Sequence, residues 1–274
     1  MIVIAASNKD IASLNISKQI LNNYHFEDAT KNFQGNKVYE AKLFGKEIKL
    51  AILDEEPVNA QNITNLFQKI DLIIFVSRHS SLSGTPTLSV HTPGNLGEAE
   101  LGGLPKNVSI SPATAMKECL KAMARLKNEM HLDYEVSYEC THHGPSLDVP
   151  TMFAELGSSP KQWSDQKAAE AVAHATMEAV SNFGKIEARA ALGIGGPHYN
   201  MKFTKMALES DVAFGHIIPK YAVPYIDEEI VRQCVKKTLE KVEFAILDWK
   251  GIKGEHKTGL IKMLENIGLP VQKV

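Results

Sequence analysis

Six of the ten histidines lie in short segments rich in Gly, Pro, Ser and Thr: SRHSSLSG (77–84), HTPGN (91–95), ECTHHGPS (139–146), GIGGPHYN (193–200) and FGHIIPKYA (214–222). Imidazole ligates metals and carries protons near neutral pH, and small neighbours let a substrate approach the backbone. Several of the segments follow an apolar run that reads as a strand, so their side chains leave the ends of a sheet. Five such loops converging on one rim are what a metal hydrolase needs. Imidazole and carboxylate ligands without thiolates favour zinc over manganese or iron. The candidate ligands are His79, His91, His142, His198 and His216. A catalytic zinc takes about three protein ligands and keeps an open position where water ionises near pH 7. A carboxylate beside that water moves its proton, and ester or amide hydrolysis is the natural chemistry.

Glu139 and Glu155 are the candidate general bases, and His143 is a further catalytic candidate. Adjacent histidines on extended backbone point to opposite sides, so only one of His142 and His143 is expected to face a shared site. Gly195 and Gly196 permit close backbone approach, and free N–H groups there would hold an oxyanion or a phosphate. Lys202 and Lys205, and Lys220 beyond His216, suit phosphate contacts, although solvated lysines after a tight turn are the plainer reading. There is no HExxH, CxxC or GxSxG, and GIKGEHKTG (251–259) lacks the P-loop's Gly-Lys order.

These loops need a scaffold. A chain of 274 residues with 44% hydrophobic content buries one large core or two modest ones. Alternating apolar runs and helical patterns place strands at 1–6, 71–77, 134–140, 187–194, 212–218 and 244–247, with a hairpin over 37–53. Helices are expected at 8–21, 63–70, 112–130, 165–182, 201–209, 227–239 and 256–266. That order predicts one α/β domain over 1–274, with a mixed, mostly parallel sheet flanked by helices and the ligand crevice beyond the strands' carboxyl ends. Residues 78–106 show no periodicity and are expected to form a long functional loop carrying His79 and His91. Thirty basic against 32 acidic residues argue against non-specific coating of nucleic acid but leave room for a local basic patch. Three scattered cysteines give no disulfide framework, and no run approaches a membrane span of roughly 18 apolar residues. The opening MIVIAASNKD reads as a strand and not as a signal peptide. A cytoplasmic monomer without membrane contact is expected.

The combination SRHSSLSGTPTLSVHTPGN, YECTHHGPS, ELGSS with Trp163, GIGGPHY and FGHIIPKYA resembles the archaeal and plant family of D-aminoacyl-tRNA deacylases, also called D-tyrosyl-tRNA deacylases, over essentially the whole chain. The resemblance implies a phosphorylase/peptidyl-tRNA hydrolase-like architecture. It also implies a zinc-dependent hydrolase of the ester joining a D-amino acid to the terminal ribose of tRNA, in chiral proofreading of translation. Two readings compete with it: a zinc-dependent peptidase or amidase on small substrates, and a non-catalytic tRNA- or nucleotide-binding protein with structural histidines.

Overall fold

The computed structural model describes residues 1–29, 35 and 37–274. Its strands are β1 (Ile2–Ser7), β2 (Glu27–Asp28), β3 (Lys37–Leu43), β4 (Lys46–Leu53), β5 (Leu72–Arg78), β6 (Thr87–His91), β7 (Gly94–Asn95), β8 (Asn107–Val108), β9 (Glu135–Tyr138), β10 (Thr151–Gly157), β11 (Arg189–Ile194), β12 (Val212–Ile218), β13 (Val242–Leu247) and β14 (Val271–Lys273). The helices are α1 (Ile11–Asn23), α2 (Ala113–Glu129), α3 (Pro160–Trp163), α4 (Gln166–Asn182), α5 (Met201–Glu209), α6 (Glu228–Lys236) and α7 (Gly254–Asn266).

The architecture is mixed α/β, and most strand pairs are parallel, as expected. There are two principal sheets, however, where one was anticipated. The larger runs β2-β3-β4-β1-β5-β10-β6-β9 and the smaller β12-β11-β13-β14. IVIAAS in β1 and the apolar run of β5 are buried on both faces, which suits central parallel strands. The β3–β4 hairpin closes through Phe44 and Gly45, both at positive φ, as a two-residue turn matched to strand twist requires. One face of the large sheet carries Ile4, Ile74 and Val90 against α1, α2 and α4. The opposite face, bearing Phe75 and Phe153, is covered by irregular chain around Ala60–Phe67 and Leu147. That helix-free face holds the histidines.

Four sequence expectations are corrected. The segment 78–106 is not one loop, because β6 crosses its middle, fully buried between β10 (antiparallel) and β9 (parallel). Strand β10 lies at the centre of the sheet although TMFAELG, rich in helix formers, gave no strand signal. The helix expected over 63–70 shrinks to one 3-10 turn, Ile63–Asn65. Finally, α1 starts at Ile11 and not at residue 8, because Asp10 caps it, its carboxylate accepting from Ser13 N–H, and Asp165 caps α4 in the same way.

Candidate active site

The two-residue period of the strands builds the site. Glu155 on β10 stands opposite Ser77 on β5 and Ser89 on β6, forming a polar row across three strands. One step along, Phe75, Phe153 and His91 stack on the same face, with ring centroids 4.8 and 4.9 Å apart. His79 follows at the end of β5, and Gly157 gives it room. A Cβ at Gly157 would lie 2.7 Å from that of His79. From β9 the chain continues into Glu139–Gly144. There Cys140 N–H donates to the His198 carbonyl, so the turn after β11 is laced to the large sheet.

Glu139 is the electrostatic centre and is fully buried. Its Oε1 accepts from Ser89. Its Oε2 lies 2.8 Å from His198 Nε2, 3.2 Å from His79 Nδ1 and 3.7 Å from His142 Nε2. Burial opposes that carboxylate, but the surrounding imidazoles overcome it and hold Glu139 well below the usual carboxylate range. Burial likewise disfavours charge on His79, yet Glu139 and Glu155, the latter 3.4 Å away, raise it to about 11. For His198, burial is outweighed by its contacts with Cys140 Sγ (3.2 Å) and Glu139, which raise it to about 10. Glu155 moves the other way. Desolvation and the charge of Glu139 raise it to about 7, against hydrogen bonds from His79 and Ser77.

A second group of imidazoles is neutral. Burial pushes His91 and His142 well below 6.5 and His143 to about 4, each reinforced by neighbouring rings. A carbonyl oxygen only accepts, so His142 Nδ1–H donates to Cys140 O (2.8 Å) and His143 Nδ1–H to Gly144 O (2.7 Å). Both Nε2 atoms are thereby left as acceptors. His143 Nε2 meets His91 Nε2 at 3.3 Å, and His91 Nδ1 is buried without a partner among the described residues. A trio of neutral rings whose ligand-type nitrogens lie together, two of them oriented through carbonyls, fits a cation. His79 and His198, held protonated, are poor ligands by comparison. Two further clusters, His79/Glu139/Glu155 and Cys140/His142/His198, have ligand-like spacing as well.

The structure gathers His79, His91, His142, His143, His198, Glu139 and Glu155 at one place. His142 and His143 both face it, contrary to the alternation expected, because His143 has φ +40° and the backbone there is not extended. His216 stands apart. It is fully buried, Nδ1 meeting Thr141 Oγ1 at 3.1 Å and Nε2 meeting the Lys237 carbonyl at 3.0 Å, which leaves no nitrogen for a metal. His216→Ala is expected to cost about 2–3 kcal/mol of stability by unpairing both groups, with metal content and turnover of the folded protein unchanged. Thermal unfolding, metal analysis and single-turnover assays on one preparation check this. Gly195 and Gly196 are also misplaced as an oxyanion hole. Gly195 N–H is spent on Ile218 O, and Gly196 packs against Asn200 and Asp248 outside the histidine cleft. Lys202 is paired with Asp248 at 2.5 Å, whereas Lys205 and Lys220 are exposed. Sequence reasoning missed Ser77, Ser89, Cys140, Tyr199 and Tyr221, the last two contacting His79 and His198.

The cleft over this cluster has a volume of about 730 Å³ and is lined by Asp10, Glu56, Glu100, Glu155, His79, His142, His143, His198 and Phe153. Arg78 at its wall is held by Glu56 through two 3.0 Å hydrogen bonds. Among the described residues, no helix is long and apolar enough to cross a membrane.

Residues 66–272 match the family model described as D-aminoacyl-tRNA deacylase. Proteins named D-aminoacyl-tRNA deacylase from Thermococcus kodakarensis and Pyrococcus furiosus are 37% and 38% identical to this chain, covering 98% of it and 98% of their own length. One from Methanosarcina mazei is 38% identical over 99% of this chain and 92% of its own. The crystal structure of a conserved protein of unknown function, 30% identical, superposes with a TM-score of 0.90 over 100% of this chain and 95% of that one. Full-length coverage at this identity, with the histidine loops inside the matched span, leaves one assignment: the chain belongs to the D-aminoacyl-tRNA deacylase family.

Proposed function

We propose that this chain hydrolyses the ester between a D-amino acid and the terminal ribose of tRNA, using Glu155 as general base beside a zinc ion held by His91, His142 and His143. The observation that carries the metal assignment is the trio of neutral imidazoles grouped at one point, with His91 Nδ1 buried and unpartnered among the described residues and His142 and His143 turned by their carbonyl hydrogen bonds to offer Nε2. Zinc held there supplies Lewis acidity and lowers the pKa of a bound water. Glu155 lines the cleft and, poised near 7, takes the proton of the attacking water and delivers it to the leaving ribose oxygen. His79, protonated between Glu139 and Glu155, fixes the geometry of the base and balances its charge. Glu139 holds His79 and His198 in place. The ester is already activated, so orientation and charge stabilisation suffice.

Removal of metal with a chelator is expected to abolish hydrolysis of D-Tyr-tRNA, and one equivalent of zinc to restore it. His142→Ala is expected to lose bound zinc by elemental analysis. Full turnover by a protein free of metal would remove zinc from the reaction while leaving the deacylase activity standing.

A further inference from the structure

A second pocket, about 410 Å³, is lined in part by the 94–101 segment and meets the carboxylate-rich cleft at Glu100, Leu101, His142 and His143. An aminoacyl ester bound with its carbonyl at those histidines must send its acyl half one way and its ribose half the other. The two spaces differ in chemistry. The larger has Asp10, Glu56, Glu100 and Glu155 on its walls, with Arg78 occupied by Glu56. It suits the substrate's α-ammonium and repels phosphate. The smaller is walled by Leu96, Leu101, Pro219, Tyr221 and Tyr225, with the exposed Glu98 and Glu100 at its edge. Tyr225 is 78% exposed, a flat ring without hydrogen-bonded hydroxyl among the described residues.

Beyond that pocket the surface turns basic. Lys220 adjoins it and donates its backbone N–H to Gly196 O, and Gly196 packs on Asp248. Trp249 follows, with Lys257 and Lys273 at 4.4 and 4.1 Å from its ring centroid. Lys250 and Lys253 are exposed beside it. Among the described residues, none of these five lysines has a carboxylate partner. Cations grouped around an aromatic ring, next to an apolar pocket that ends at the reacting histidines, match a single-stranded 3′ end.

We infer that the pocket of Leu96, Leu101, Pro219, Tyr221 and Tyr225 holds the terminal adenosine of tRNA, stacked on Tyr225, while the acidic cleft holds the amino acid and Lys220 with the Trp249 lysines carries the preceding phosphates. This rests on the deacylase reading and adds the direction in which the substrate lies.

Three substrates separate the parts: D-tyrosyl-tRNA, the 3′-O-D-tyrosyl ester of adenosine, and D-tyrosine methyl ester. Tyr225→Ala is expected to raise KM for the first two about 5- to 150-fold, the range of one lost base stack. Its kcat and its methyl-ester hydrolysis stay at wild-type values, and Tyr225→Phe behaves as wild type. The exposure of Tyr225 makes a folding defect an unsuitable explanation, and equal unfolding temperatures verify that. The double change Lys220→Ala with Lys250→Ala is expected to flatten the salt dependence for tRNA while sparing the adenosine ester. Equal effects of Tyr225→Ala on all three esters, or on none, overturn the subsite. Wild-type protein inert on every ester overturns the deacylase reading instead. In that event calorimetry with the dinucleotide CpA decides the subsite, and equal affinity for wild type and Tyr225→Ala overturns it.

Discussion

Glu155→Gln lowers kcat for D-Tyr-tRNA by about 10²- to 10⁴-fold, the usual worth of a positioned proton-transfer group, with KM within about two-fold. Glutamine keeps the shape and still accepts from Ser77, so the strand register and the hydrogen-bonded row survive. What is lost is a basic oxygen facing the cleft. The pH dependence supplies an independent check. Burial and the charge of Glu139 raise Glu155 to about 7, and only its ionised form takes a proton. Wild-type log kcat therefore climbs by about one per pH unit below 7 and levels off above it. The variant loses that limb. A glutamine protein with the wild-type profile would place the base elsewhere.

Glu139→Gln strikes stability as well as turnover. The carboxylate receives His79, His198 and Ser89 at one buried point. Withdrawing its charge strands two imidazolium ions, and breaking a buried pair in this way costs about 3–5 kcal/mol. In a chain this size the unfolding temperature drops by about 10 °C. The sign of the pH effect follows from raised imidazole values, about 11 for His79 and about 10 for His198. Their contribution is complete below the ordinary imidazole pKa of about 6.5 and disappears as pH rises through 10 and 11. The wild-type unfolding temperature accordingly declines across that alkaline window. The variant is less stable at pH 6–7 and declines less steeply. Parallel curves for the two proteins would mean that Glu139 does not hold these rings charged.

The site was largely legible because its residues stand at strand ends. The runs IVIAAS and LIIFVSR announce buried parallel strands, and His79 directly after the second marks the rim. The illegible parts have physical causes. Strand β10 hides because Ala, Glu and Leu favour helix by themselves, and only its two neighbours make it a strand. The alternations Phe75-Ser77-His79, Ser89-His91 and Phe153-Glu155 were nonetheless available as a shared period of two. His216 misled because a strand-end histidine looks the same whether its nitrogens face a cavity or, as here, Thr141 and Lys237. The joint orientation of His142 and His143 depends on one left-handed residue, which no spacing rule for extended chain anticipates. Cys140 was passed over because cysteines were weighed as pairs, not as neighbours of Glu139 in the same turn.

The stitching of Cys140 to His198, and of Glu139 to Tyr199, joins the rims of the two sheets. Across that seam runs the Glu139–His198 contact, contributed by residues 59 positions apart in sequence. Prying the halves apart would take from His198 its buried anionic partner, while Glu139 keeps His79 and Ser89 on its own side. Partial opening is thus penalised electrostatically, and the halves melt as partners.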